Sequence, residues 1–170
     1  MDNKESGFKS MEDKWKNFWE KEGIYRFNPK TKKKIYSIDT PPPTLSGRMH
    51  IGHAASYSQA DFIARFMRMQ GFEVFCPFGT DDNGLPTERL VEKSKGIKSK
   101  EMSRAEFVEL CMEFLKEERP KFIQDWKDIG ISCDWTLGYS TIDEHSRRIS
   151  QWSFLDLYKM GRIYRKRAPF

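Results

Sequence analysis

Three consecutive prolines, Pro41 to Pro43, set the strongest constraint on how this chain can fold. Proline has no backbone N–H and a fixed φ, so the triplet excludes both a helix and a central strand at this point. The apolar run at residues 35–38 is typical of a short, buried parallel strand. The sequence therefore predicts a strand that ends at the prolines, followed by an irregular segment that leads into the next element.

A helix and a second strand follow at the spacing of a βαβ unit. From about Gly52 to Gly71, apolar residues recur every three or four positions, as on one face of a helix. The predicted inner face consists of Ala60, Ile63, Ala64 and Met67. Residues 73–78, with the sequence EVFCPF, predict the second strand. Strand, loop, helix and strand fit within about 45 residues, which indicates a parallel α/β sheet.

The remainder of the chain predicts mainly helices. Four further elements are expected: helices at 85–95, at 104–118, after Pro120 and at 143–160. Two of these helices have apolar faces, formed by Phe107, Cys111, Phe114 and Leu115 and by Phe122, Ile123 and Trp126. A third parallel strand is expected at residues 163–164. The fold class predicted from this order is α/β with a parallel sheet.

The N-terminal part, residues 1–34, is predicted to be a polar tail at 1–9 and a helix, ahead of the α/β unit at 35–170. Ser10 and Asp13 have the form of a capping box, and Gly23 stands where the helix would end. The stripe of apolar residues on this helix is expected to pack in the core: Met11, Trp15, Phe18 and Trp19.

Composition excludes several classes of protein. Aromatic residues make up 14% of the 170 residues, which is too many for a disordered chain, and no apolar stretch is long enough to span a membrane. The net charge of +5 slightly favours polyanionic partners such as nucleotides or RNA. Three scattered cysteines and a polar N-terminus predict a reducing, cytoplasmic compartment.

The chemistry is concentrated in the segment between the first strand and the first long helix, PPPTLSGRMHIGH. His50 and His53 are three residues apart, so both can lie on one side of the first helical turn. Free N–H groups and the helix dipole at such a terminus favour a phosphate. A zinc pair lacks a convincing third ligand, and two histidines with a purely structural role remain an alternative. Neither a P-loop nor a G-x-G-x-x-G fingerprint is present.

Three stretches resemble a known family. Residues 50–53, HIGH, resemble the signature motif of class I aminoacyl-tRNA synthetases, and residues 79–89, GTDDNGLPTER, resemble a block of their branched-aliphatic members. Residues 134–166 resemble the valyl branch, and the PPPT start is most similar to archaeal-type sequences of that branch. A different nucleotidyl-transferring enzyme with an HxGH-like turn, or an isoleucyl or leucyl type, is the alternative within this superfamily.

The resemblance implies the first half only of a Rossmann-like parallel sheet with a HIGH-type nucleotide-binding turn. It also implies a binding site for ATP. In this family the carboxylate of an amino acid attacks the α-phosphate of ATP, and the acyl group then passes to tRNA. By resemblance, His50 and His53 contact the phosphates as catalytic residues, Gly52 receives the adenine and Thr44 lies beside ATP. Mg²⁺ accompanies the triphosphate, and no metal site of the protein's own is expected.

The resemblance also implies a site for valine. Asp81 is expected to bind the α-ammonium group, with the backbone of Pro41 and Pro42 as a further wall of the pocket. From the residues alone, Asp81 could instead belong to a turn, and Asp82 could cap the next helix.

The chain's extent sets a limit on its activity. It is expected to stop before the family's editing insertion and to lack the second half of the nucleotide fold, so efficient charging of tRNA(Val) needs a missing C-terminal portion. The main alternative is a non-catalytic module that binds RNA or a partner. Two basic clusters of the chain could contact tRNA, but charged loops exposed to solvent are the simpler explanation for both. The clusters consist of Lys30, Lys32, Lys33 and Lys34, and of Arg162, Arg165, Lys166 and Arg167.

Overall fold

A computed structural model of the chain describes residues 3–167, with side chains from Gly7 onward. Helices and short parallel strands alternate through these residues, which confirms the predicted α/β class with an N-terminal helix. In chain order the elements are α1 (Asn3–Glu22), β1 (Ile35–Ser37), α2 (Ile51–Met69), β2 (Glu73–Phe75), β3 (Pro77–Thr80), α3 (Leu85–Lys95), a 3-10 turn (Ser99–Glu101), α4 (Arg104–Asp128), β4 (Asp134–Ser140) and α5 (Glu144–Lys159).

The strands form two parallel pairs. In the first pair β1 lies beside β2 with Tyr36 opposite Val74, and in the second β3 lies beside β4 with Gly79 opposite Tyr139. Beyond the prolines, Thr44 makes a single parallel bridge to Asp81. The carboxyl ends of β3 and β4 and the segment after the prolines therefore meet at one edge.

The predicted strand at 73–78 is wrong as one continuous element. Its first half pairs with β1, where the amide of Ile38 donates to the carbonyl of Phe75 over 2.9 Å. Its second half pairs with β4, where the amide of Asp134 donates to the carbonyl of Cys76 over 2.8 Å. Pro77 has no N–H to continue the first ladder, so the chain changes partner at this point.

The predicted strand at 163–164 is also wrong, because residues 162–167 have no regular structure. β4 takes the place beside β3 instead. Its sequence, DWTLGYS, is buried only near its ends and exposed in between. It therefore lacks the alternation of buried and exposed residues that would have identified it as a strand.

Pro120 does not divide the chain as predicted. A single helix, α4, runs through it, although a proline inside a helix removes one hydrogen bond. Buried residues lie on both sides of it, Leu115 before and Trp126 after, and packing of this face outweighs the local cost. The start at Ser103 forms a capping box with Glu106, and both predicted apolar faces lie toward the core.

Helix α1 begins earlier than predicted. Ser10 lies inside the helix, so neither the predicted cap nor a tail extending to residue 9 is present, while residues 1 and 2 lie outside the described part. Met11, Trp15 and Phe18 are between 44% and 50% exposed, and the prediction that they pack in the core is wrong. Trp19 alone of the stripe is half-buried, with its ring 5.9 Å from that of Tyr25.

The core lies between α2, α4 and the strands, around the fully buried Trp126. Helix α2 presents Ala64 to it as predicted, but Ile63 is 48% exposed. The buried face of α2 includes Asp61, whose carboxylate accepts from the amide of Ser132 over 2.8 Å and pairs with Arg65. Because Asp61 is buried and Ile63 is not, the buried face of α2 differs from the face that the spacing of apolar residues predicts.

Two of the predicted helices, α3 and α5, lie where the sequence placed them. Helix α3 has the predicted bounds. Helix α5 has its N-cap at Asp143 and its C-cap at Met160, close to the predicted ends. None of the residues of α5 is buried, and its exposed apolar side chains include Trp152 and Leu155.

Candidate active site

Asp81 lies just beyond the end of β3, where three segments of backbone meet. Its amide donates to the carbonyl of Pro43 and its carbonyl accepts from the amide of Leu45, both over 2.9 Å. One carboxylate oxygen accepts from the hydroxyl of Thr141 over 2.9 Å, and the other accepts from that of Thr44 over 3.3 Å. The structure therefore brings together two predicted site residues, Thr44 and Asp81, and adds Thr141.

The neighbouring Asp82 has a different role. Its side chain is fully buried and pairs with Arg119 over 2.7 Å. It also accepts hydrogen bonds from the hydroxyls of Thr80 and Ser140. Asp82 does not cap α3, whose N-cap is Gly84, so that alternative is wrong. A buried carboxylate needs such partners, because an unpaired charge away from water is costly.

These groups form what we call the aspartate corner. It consists of Asp81 and Asp82 with Thr44, Thr80, Arg119, Ser140 and Thr141. Asp81 also accepts a hydrogen bond from the amide of Asn83 over 3.2 Å. This bond is typical of a turn, which was the alternative role considered for Asp81. Asp81 keeps partial exposure, whereas Asp82 does not, so only Asp81 can meet a ligand from solution.

The second part of the site is the histidine turn, residues 46–53. His50 is the N-cap of α2, and its Nδ1 accepts from the amide of His53 over 3.4 Å. The two imidazole rings are stacked, with centroids 3.8 Å apart and planes 17° from parallel. Both histidines therefore lie on one side of the first turn, as predicted. A Cβ on Gly52 would lie 3.1 Å from the His50 ring, so a larger residue here would displace that ring by a few tenths of an ångström.

His53 lies deeper than His50. Its ring is half-buried with its centroid 5.8 Å from that of Trp126, and its Nδ1 is buried without a hydrogen-bond partner. Burial, and then the charge of His50, lower the pKa of His53 from its usual value. A neutral imidazole at pH 7 can donate a hydrogen bond to a phosphate without carrying a fixed charge.

Asp125, on α4, supports the histidine turn from below. Its carboxylate accepts from Nε of Arg48 over 2.8 Å and from the amide of Met49 over 3.3 Å. A second bond from the Arg48 guanidinium completes a bidentate pair. Asp125 is buried, so it fixes the backbone immediately before His50 from the core side.

Two tyrosines, Tyr57 on α2 and Tyr139 on β4, lie near the strand ends and near each other. Tyr57 donates from its hydroxyl to the carbonyl of Pro41, and its ring lies 4.5 Å from that of Trp126. Burial, with Tyr139 nearby, raises the pKa of Tyr57. Tyr139 covers Gly79 so closely that an added Cβ would lie 2.1 Å from the ring. The Pro41 carbonyl is thus already bonded, and Pro42 beside it is half-buried.

Other candidate features lie away from these residues. A cavity of about 450 Å³ is lined by Trp19, Tyr25 and Trp135 among others, and by none of the predicted site residues. The predicted basic clusters are exposed. Among the side chains that the structure describes, no three His, Cys, Asp or Glu residues are grouped so that they could hold a metal ion. No helix within residues 3–167 has the length and apolar character to cross a membrane.

The sequence did not identify Arg119, Asp125, Thr141 or Tyr57 as parts of the site. Thr141 follows β4, and the carboxyl ends of parallel strands share one edge of a sheet. Recognition of β4 would therefore have predicted its place beside Asp81. Arg119 and Asp125 lie on a helix distant in sequence, and no local pattern indicates which charge each one meets.

Comparisons with known proteins identify the family of this chain. A family model described as tRNA synthetases class I (I, L, M and V) matches residues 14–170. The chain is 53% identical over 167 residues to the valine--tRNA ligase of Rickettsia prowazekii (strain Madrid E), covering 98% of the chain and 20% of that protein. It is 50% identical over 159 residues to that of Thermoplasma acidophilum, covering 94% of the chain and 20% of that protein.

A solved structure extends the comparison to the fold. The LeuRS of Agrobacterium radiobacter K84, in a ternary complex with tRNA and LeuAMS, matches 93% of this chain and 18% of its own with a TM-score of 0.76 and 26% sequence identity. The chain spans about a fifth of the length of the curated relatives it matches. Since the family model covers almost all of its residues, the chain belongs to the class I tRNA synthetases of the I, L, M and V group.

Proposed function

We propose that this chain is the N-terminal ATP- and amino-acid-binding portion of a valyl-tRNA synthetase, which joins valine to tRNA(Val). The observation that carries the proposal is the meeting of Asp81, Thr44 and Thr141 at the strand ends that flank the histidine turn. The choice of valine rests on relatives named valine--tRNA ligases that are 50–53% identical to nearly the whole chain.

Asp81 is the proposed partner of the α-ammonium group of valine. A carboxylate forms short, charge-assisted hydrogen bonds with an ammonium ion, and Asp81 is already oriented by two hydroxyls. Because Asp81 is partly exposed, a ligand from solution can reach its carboxylate. The backbone of Pro41 and Pro42 is the proposed wall of the same pocket.

The histidine turn is the proposed site for ATP. His50 and His53 would donate to the phosphates, Gly52 leaves room for the adenine, and Thr44 lies beside the nucleotide. A carboxylate oxygen of valine attacks the α-phosphorus, the bond to the bridging oxygen breaks, and pyrophosphate leaves. Donors held in place stabilise the negative charge that develops on the phosphoryl oxygens.

Mg²⁺ would accompany the triphosphate, where it neutralises phosphate charge. The aspartate corner does not fit a resident cation, because Asp82 is already paired with Arg119 and Asp81 lies beside it with hydroxyl partners. The metal would therefore be held by the phosphates themselves. His50 and His53 remain the protein's donors toward them.

The later steps need more protein than this chain. The acyl group passes from the adenylate to the terminal ribose of tRNA(Val), with release of AMP. We propose that the remainder of the longer protein supplies the second half of the nucleotide site and the tRNA contacts. The setting we propose is the cytoplasm, a reducing compartment that suits three cysteines that are all free thiols in the structure.

Valine-dependent exchange of labelled pyrophosphate into ATP tests this function. The assay uses the polypeptide that contains this chain together with its C-terminal portion, and in parallel the 170-residue chain alone, with isoleucine and threonine as controls. We expect valine-dependent exchange by the longer polypeptide, lost in His53→Ala. No exchange from a folded, longer polypeptide would contradict the proposal and favour a non-catalytic module.

A further inference from the structure

Two buried cysteines lie side by side at the end of the strands opposite to the candidate site. Cys76 comes just before β3 and Cys133 just before β4, and their Sγ atoms are 3.3 Å apart. Asp81 and Thr141 follow the other ends of the same two strands. The cysteine pair therefore belongs to the same ladder as the aspartate corner but not to its chemistry.

The backbone already has the separation that a disulfide needs. Pro77 is paired with Asp134, and the amide of Asp134 donates to the carbonyl of Cys76 over 2.8 Å. Neighbouring strands lie about 4.8 Å apart, within the range of about 4.4–6.8 Å between the Cα atoms of disulfide-bonded cysteines. A small rotation of the side chains is enough to bring the sulfur atoms to bonding distance.

The two thiols differ in acidity. The hydrogen bond from Cys133, assisted by the charge of Arg68, lowers the pKa of Cys76. The same hydrogen bond, with burial, raises the pKa of Cys133. Arg68 is held in place by its bond to the carbonyl of Ser132 over 2.6 Å. Cys76 thus reaches the nucleophilic thiolate form more readily, and Cys133 stays protonated beside it.

We propose that Cys76 and Cys133 are an oxidation site that peroxides convert to a reversible intrachain disulfide. The sulfur of Cys76 attacks one peroxide oxygen, the O–O bond breaks, and a sulfenic acid and water form. The sulfur of Cys133 then attacks the sulfenic sulfur, which releases a second water and closes the S–S bond. Two thiols lose two electrons and two protons, and hydrogen peroxide accepts them. A low-molecular-weight thiol reverses the reaction by exchange.

The third cysteine provides an internal comparison. Cys111, on α4, has intermediate exposure, and burial, with Glu88 and Glu92 nearby, raises its pKa. In an unfolded chain the shorter Cys111–Cys133 loop would close more easily than the loop between Cys76 and Cys133, which are 57 residues apart. A preference for the longer loop is therefore a signature of the folded geometry.

The test is peptide mapping of the 170-residue chain after treatment with hydrogen peroxide, with free thiols alkylated before trypsin digestion. The disulfide would join peptide 69–89, which contains Cys76, to peptide 128–147, which contains Cys133. We expect this linked peptide in the wild type and in Cys111→Ser, and its loss on treatment with dithiothreitol. In Cys133→Ser we expect a peroxide-oxidised Cys76 without the link.

A parallel digestion after oxidation in concentrated urea provides the control for geometry. We expect the link between 69–89 and 128–147 to be at least about tenfold enriched in the folded chain relative to urea, where the shorter loop competes. Two outcomes would overturn the proposal. One is recovery of both peptides as free thiols from a chain whose circular dichroism shows that it is folded. The other is an equal yield of the link with and without urea.

Discussion

The aspartate corner and the histidine turn are built in opposite ways. In the corner, side chains from several elements donate to two adjacent carboxylates, and one of these carboxylates is fully buried. In the turn, the imidazole of His50 accepts one long hydrogen bond, 3.4 Å, from the backbone amide of His53, and His50 and Gly52 are exposed. The main support of the turn comes from Asp125 beneath it.

The difference shows where the chain is organised before a ligand arrives. A carboxylate held by fixed hydroxyls can bind an ammonium group with little loss of conformational freedom. A helix start with exposed imidazoles can adjust to a triphosphate, which brings its own metal ion and charge. We therefore expect substitutions in the corner to change folding first, and substitutions in the turn to change chemistry first.

The largest effect is expected from removal of the charge that compensates Asp82. Arg119→Leu leaves a buried carboxylate without its partner, which costs about 3–5 kcal/mol in the free energy of unfolding. Arg119→Lys keeps a cation and should cost less. Urea denaturation of the 170-residue chain measures both. A loss below about 1 kcal/mol for the leucine variant would show that Asp82 needs no such partner.

The reverse behaviour is expected at the histidine turn. His53→Ala removes a donor from the proposed phosphate site and should lower valine-dependent pyrophosphate exchange by about 10²–10³-fold in the longer polypeptide. Its cost in unfolding free energy should be only about 1 kcal/mol. His145→Ala, at an exposed position in the first turn of α5, is the matched control. Equal activities of the two variants would remove His53 from the chemistry.

A smaller effect is expected from the hydroxyl that orients Asp81. Thr141→Val removes the 2.9 Å bond to Asp81 and also the acceptor for the amide of Asp82. We expect the KM for valine to rise about tenfold, with the KM for ATP unchanged, because one charge-assisted hydrogen bond contributes about 1.5 kcal/mol. Thr136→Val, near the other end of β4, is the control. A larger change in the KM for ATP than in that for valine would show that Thr141 serves the nucleotide.

The smallest effect is on the pH dependence of stability. Because the pKa of His53 is lowered in the folded chain, the unfolded chain takes up a proton there more readily. The contribution to stability is complete above about pH 6.5, the ordinary value for histidine, and is lost as pH falls through the lowered pKa. With partial solvent screening we expect a loss of a few tenths of a kcal/mol. Denaturation at several pH values should show this loss, and His53→Gln should abolish it.

Local patterns predicted much of the fold. Strong periodicity and end signals gave helices α3 and α5, and the prolines gave the end of β1. The paired histidines were expected on one side of a helix start, and their rings are stacked there. These features depend on residues close together in sequence, so a single sequence contains the information.

The remaining features depend on contacts between distant residues. β4 is stabilised by its pairing with β3 rather than by its own pattern, and α4 continues through Pro120 because buried residues on both sides pack into one core. Met11 on α1 has the spacing of a core residue but is half exposed. The bond between Asp125 and Arg48 spans 77 positions, a separation that no local motif can indicate.

The two regions are proposed to bind two different ligands, valine at the aspartate corner and ATP at the histidine turn. Mapping of ¹H–¹⁵N amide shifts in the 170-residue chain, titrated separately with valine and with Mg²⁺–ATP, distinguishes the two sites in one experiment. We expect valine to shift the amides of Asp81 and Thr141, and ATP to shift those of residues 50–54. Shifts confined to Trp19, Tyr25 and Trp135, around the cavity beside α1, would contradict this proposal.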